Sequence, residues 1–315
     1  MRKKRLSVIL AGLLLSSLLV LGACSKGKTD DSSSDGKIKI VTTIAQIAEP
    51  ISIIGGDHVT VESLMGAGVD PHLYRATQGD IKKLENSDIV FYSGLNLEGN
   101  MGEVFASISS KKPAIGIADS IAQESLLKDE NGAVDPHVWF DIDLWKIALG
   151  TATDELMKFA PEHADEFNAN KESYFKELDA LLAESKDKLS QIPKEKRVLV
   201  TAHDAFGYFG RAFDIEVVGL QGLSTEDEIG ISDIDDTIAI LTEYKIPAVF
   251  VESSINQSSI KAVIEGAGKQ GLDVKLGGEL FSDAMGDAGT TEGTYIGMYK
   301  HNVNTIHDAL LGEGN

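Results

Sequence analysis

A single cysteine in 315 residues, at position 24, excludes any disulfide within the chain. Positive charge is scarce as well. The 29 Lys and Arg residues face 49 Asp and Glu, a formal net charge of −20 at pH 7. An acidic body of this kind repels nucleic acid and anionic lipid, so nucleic-acid binding drops out as a function. Acidity does not by itself mean a metal function, because excess Asp and Glu commonly serve solubility. The chain has no His-Glu-x-x-His phrase, the helical signature of zinc proteases. Histidine is absent from Leu73 to Pro136.

What is present begins at the N-terminus. Arg2, Lys3, Lys4 and Arg5 precede an uncharged apolar stretch from Leu6 to Ala23, the basic and apolar regions of an export signal over residues 1–23. A plain membrane-spanning anchor is the alternative, since the stretch is just long enough. The run ends Leu21-Gly22-Ala23-Cys24, which resembles a bacterial lipobox, where the cysteine is lipidated and becomes the first residue. Cys24 then has its thiol consumed rather than left reactive. Residues 24–36 form a polar, flexible tether. The expected product is extracytoplasmic and lipid-anchored to the cell membrane, and cleavage takes its charge from −20 to −24.

Eight short apolar runs follow in two sets of four: Lys37–Ala45, Val59–Met65, Ile89–Ser93 and Pro113–Ala118, then Arg197–Ala202, Ile215–Leu220, Ala248–Glu252 and Asp273–Leu280. Most are continuous Val/Ile/Leu runs, and helix-like stretches such as Gln78–Asn86 and Asp233–Tyr244 separate several of them. Buried parallel strands in α/β domains read this way. Between the sets, Glu162 to Ile192 contains neither Gly nor Pro, opens after Pro161, and places Phe167, Phe175, Leu178, Leu182 and Leu189 near helical spacing. One continuous helix there would be about 45 Å long, a strut between domains. The expected fold is α/β: two doubly wound lobes, each with a mainly parallel four-stranded sheet, joined by one long helix. The lobes are 37–160 and 194–315, and the helix 161–193.

The phrase Val-Asp-Pro-His occurs twice, at Val69–His72 and Val134–His137. Proline stiffens each copy, so both imidazoles leave defined loops. Ligands in open α/β sheets bind beyond the carboxyl ends of strands. His72 and His137 follow strands of the first set, His203 ends the first strand of the second, and Asp283 follows its fourth. Three imidazoles and one carboxylate suit a divalent transition ion. The other histidines are expected on a turn (His58), the strut's first turn (His163) and a C-terminal helix (His301, His307). Asp70, Asp135, Asp204 and Glu252 are candidates to hold a ligand imidazole's second nitrogen, with Asp70 and Asp135 favoured as turn residues. Glu252 is also the alternative oxygen ligand. Gly286–Gly293 reads as a surface loop, or less favourably as a gate on Asp283.

Taken with Thr201–Phe209, Gly222–Thr225, Val251–Ser254 and Leu280–Asp283, the two repeats resemble the metal-binding solute-receptor lipoproteins of bacterial ABC importers, over essentially the whole mature chain. The resemblance implies metal ligands at His72, His137, His203 and Asp283, with one ion between the lobes. It also implies a permease partner with a cytoplasmic ATPase, and a monomeric receptor without catalytic activity. Many manganese-type members carry glutamate where His203 stands. Zinc-specialised members commonly carry a His-rich loop that is missing between His72 and His137. Manganese is the favoured cargo, with zinc or iron as alternatives. Two other functions stay open: a surface adhesin with incidental metal, and a secreted zinc hydrolase.

Overall fold

The computed structural model describes residues 36–312, so the export signal and Cys24 lie outside the described residues. All eight expected strands are there: β1 Ile38–Thr42, β2 Val59–Ser63, β3 Ile89–Tyr92, β4 Ala114–Gly116, β5 Val198–His203, β6 Glu216–Gln221, β7 Ala248–Glu252 and β8 Lys275–Leu280. In the first lobe they form one all-parallel sheet in the order β2-β1-β3-β4. Its middle strands are buried on both faces, which is why they read as unbroken apolar runs.

The second lobe departs from the expected single sheet. Its strands pair in parallel as β5-β6 and β7-β8, and β5 lies beside β7 without a continuous ladder. One cause sits at the carboxyl end, where the amide of His203 donates to Oε1 of Glu252 at 2.9 Å instead of to a β7 carbonyl.

Nine helices lie among the described residues: α1 Ala45–Gly55, α2 Gln78–Asn86, α3 Gly102–Ser109, α4 Ile142–Phe159, α5 Ala164–Leu189, α6 Gly207–Phe213, α7 Ile231–Tyr244, α8 Ser258–Lys269 and α9 Tyr295–Leu311. The expected strut is α5. It is continuous over 26 residues, about 39 Å, and a short 3₁₀ turn at Pro161–His163 replaces its expected start. Phe167, Leu178 and Leu189 are buried on it as the spacing predicts, together with Tyr174 and Leu181. The helix packs against α1 and α4 of the first lobe and α9 of the second. No described helix is long and apolar enough to cross a membrane.

The main apolar core is shared between the lobes: it runs from β1 and β3 through α4 and α5 to Phe206, Phe209, Tyr295 and Tyr299. A second cluster, including Val198, Val200, Val249 and Val251, sits within the second lobe alone. Three buried tyrosines stitch the His137 segment to the second half of the chain. Their hydroxyls donate to main-chain carbonyls: Tyr208 to Asp135 at 2.9 Å, Tyr295 to Trp139 at 2.6 Å and Tyr299 to Phe140 at 2.9 Å.

Gly286–Gly293 is a surface loop closed on itself, with Gly286 N–H bonded to the Glu292 carbonyl and Thr290 N–H to the Asp287 carbonyl. Gly297, just beyond, is required: a Cβ there would collide with the Thr291 carbonyl oxygen.

Candidate metal centre

The repeated Val-Asp-Pro-His phrase is a repeated turn. In each copy the aspartate Oδ1 accepts the amide of the histidine two residues on, at 2.8 Å for Asp70 to His72 and 2.9 Å for Asp135 to His137. The intervening proline cannot compete as a donor and fixes the turn's φ. Both aspartates are thus turn residues, as expected. Asp135 does more: the same oxygen lies 2.8 Å from Nδ1 of His137, leaving Nε2 to face inward. Asp70 turns its other oxygen outward to the Thr225 hydroxyl, 2.6 Å away in the opposite lobe. Asn100 steadies the His72 carbonyl at 2.8 Å.

His203 stands at the carboxyl end of β5 with Glu252 at the end of β7 beside it. Oε2 of Glu252 is 2.6 Å from Nδ1 of His203, off the line of a good hydrogen bond, so neither atom is fully satisfied. Asp283 follows β8. Its Oδ1 is 3.3 Å from Nε2 of His137, and its Oδ2 is 3.2 Å from Nε2 of His203 and 3.6 Å from Nε2 of His72. The Nε2 atoms of His72 and His137 are 3.3 Å apart.

All four residues are buried, and each offers a ligand atom within 4.8 Å of the others. Both carboxylate oxygens of Asp283 lack a hydrogen-bond partner. Buried polar atoms ordinarily find one, so the arrangement fits a cation at its centre. The structure therefore brings together His72, His137, His203 and Asp283, and leaves Glu252, the alternative oxygen ligand, behind the His203 ring. It leaves the other histidines outside. His58 stacks on His163 at 3.7 Å and 17°, and Glu166 holds His58 at 2.9 Å. His301 bonds the Glu279 carbonyl and His307 bonds Asp308.

The electrostatics are those of a site that holds positive charge. Burial opposes charge on His137, but the hydrogen-bonded Asp135 carboxylate and the nearby Asp283 carboxylate outweigh it and raise its pKa to about 9. Burial likewise works against a charged His203, and the carboxylates of Glu252 and Asp283 prevail, holding it well above the ordinary range. For His72 burial wins over Asp283, and the other two imidazoles reinforce it, lowering the pKa to about 4. Burial pushes Asp283 up, yet the surrounding imidazoles hold it well below the usual carboxylate range. Burial raises Asp204, which makes no bond to a ligand imidazole among the described residues.

Glu252 and Asp135 orient ligand rings from behind. Glu252→Gln and Asp135→Asn are each expected to weaken metal affinity about 10- to 100-fold in a chelator-buffered titration. Affinity unchanged in both would mean that the rings are oriented by packing alone.

Other residues that shape the site carry no local signal. Trp139 packs edge-on against His137 at 5.3 Å and donates from Nε1 to the Ser282 carbonyl at 3.2 Å, linking segments far apart in sequence. Its position two residues after His137 is the only clue the sequence holds.

Residues 40–309 match the family model of the periplasmic zinc-uptake complex component A, ZnuA. The chain belongs to the ZnuA family. Among ZnuA-family relatives, it is 47% identical to the manganese-binding lipoprotein MntA of Bacillus subtilis (strain 168), over 95% of this chain and 99% of that protein. It is 45% identical to the zinc-binding protein TroA of Treponema pallidum (strain Nichols), over 89% of this chain and 91% of that protein. The solved structure of the periplasmic zinc-binding protein TroA from Treponema pallidum superposes with a TM-score of 0.86 at 45% identity, covering 87% of this chain and 99% of that one. A ZnuA-family fold thus accounts for both parallel lobes and the helix between them.

Proposed function

We propose that this protein is the extracytoplasmic receptor of an ABC importer, capturing one divalent transition ion between its lobes through His72, His137, His203 and Asp283 and presenting it to a permease. The observation that carries this reading is the buried cluster of three imidazoles around an unsatisfied carboxylate. Relatives named for manganese and for zinc support the ion class. Manganese is our first choice because the His-rich loop of zinc-specialised receptors is missing; zinc and iron are the alternatives. Four protein ligands leave little room for an activated water, which favours carriage over hydrolysis.

An ion held by one lobe alone has an incomplete set of donors. Binding therefore favours the state with both lobes packed about the metal, by as much as the difference in affinity allows. We further propose that residues 1–23 are removed on export, that Cys24 carries the lipid, and that residues 24–36 are the tether that precedes the first lobe, 37–160, in the chain. The linking helix at 161–193 then leads to the second lobe at 194–315.

The test is metal content by mass spectrometry of the soluble body begun after Cys24, expressed in balanced manganese, zinc and iron, followed by competitive titration of the stripped protein. One equivalent per chain is the expected result, and the competition ranks the metals. No stoichiometric metal under any of these conditions would end the receptor reading.

A further inference from the structure

Asp283 differs from the histidines in how it is held. His137 and His203 each have a carboxylate behind the ring, whereas no group outside the candidate ligands bonds the Asp283 carboxylate among the described residues. Its orientation is inherited from the main chain that carries it. That main chain is gripped on several sides by buried groups. Asn302 of α9 accepts the Phe281 amide at 2.9 Å and donates to the Phe281 carbonyl at 2.7 Å. The next carbonyl, Ser282, accepts from two first-lobe side chains, Gln46 at the start of α1 and Trp139, each at 3.2 Å. Gln46 and Asn302 are fully buried.

The result is a carboxylate presented edge-on. Oδ1 faces His137 and Oδ2 faces His203 and His72. We infer that Gln46 and Asn302 are positioning residues for metal selectivity: by clamping Phe281–Ser282 they keep both Asp283 oxygens turned to the ion. The inference rests on the metal-centre reading above. Three nitrogens and two oxygens offer five donors, while a carboxylate free to turn one oxygen away leaves four. Four suits tetrahedral zinc; manganese prefers more donors and more oxygen. Loosening the clamp should therefore harm manganese binding more than zinc binding.

The experiment uses the full lipoprotein solubilised in detergent, with manganese and zinc titrated separately against a competing chelator. Gln46→Met keeps length and removes the donor to Ser282, and Asn302→Asp keeps shape and removes the donor to Phe281. The expected result in either folded variant is a fall of about tenfold in the ratio of manganese to zinc affinity, with a changed spectrum of bound manganese in electron paramagnetic resonance. Parallel loss of both metals, with the ratio moving less than threefold in both variants, would mean the clamp is merely structural and would overturn the inference. Wild-type protein that takes up neither metal overturns the metal-centre reading itself, before any variant is compared.

Discussion

Asp283→Ala is expected to bind manganese and zinc about a thousandfold more weakly than the wild type. The carboxylate is the one anionic group that faces all three imidazoles, at 3.2 to 3.6 Å. It is fully enclosed, and removing one partner from such a buried charge cluster costs on the order of 3–5 kcal/mol, two to four powers of ten in an equilibrium constant. His72→Ala should also weaken binding but by less, because it removes one neutral donor and leaves the charged set intact. Chelator-buffered titration of the two variants beside the wild type measures both. Affinity within tenfold of wild type for Asp283→Ala would strike Asp283 from the ligand set and move attention to Glu252, whose unsatisfied Oε2 is the next buried oxygen.

The second large effect is on pH. His137, with its pKa raised to about 9, holds a proton at neutral pH in the metal-free site, and the carboxylates of Glu252 and Asp283 push His203 upward against its burial. A ligand imidazole must be neutral, so loading an ion expels the His137 proton. For the proton that His137 releases, affinity should climb roughly tenfold from pH 7 to 8, below its folded-state pKa of about 9. The same shift governs the stability of the metal-free protein. A raised folded pKa contributes stability that is complete below the unfolded value of 6.5 and lost as pH rises through about 9. Thermal unfolding of the stripped protein between pH 6 and 10 should show a falling midpoint across that window. A midpoint flat or rising there, together with affinity independent of pH, would show that the His137 ring is already neutral.

The strands were legible because burial on both faces writes itself as unbroken Val/Ile/Leu runs, as at Ala248–Glu252, where expectation and structure coincide. The gap between β5 and β7 was not, because it depends on the Glu252 carboxylate capturing an amide 49 positions away. The linking helix announced itself by lacking Gly and Pro, but its first turn tightened to 3₁₀ at Pro161–His163. Two of the four candidate ligands, His72 and His137, could be read because Asp-Pro-His is a self-contained turn. The dual duty of Asp135 could not, since turn and ring contacts use the same oxygen. Hydroxyls such as those of Tyr295 and Tyr299 meet carbonyls more than 150 positions distant, and no periodicity foretells that.

The protonated His137 has one more consequence. Its imidazolium proton leaves as a dication enters, so loading raises the enclosed charge by about one unit less than the ion itself carries. Part of the ion's field at the protein surface is thus cancelled before a docking partner meets it.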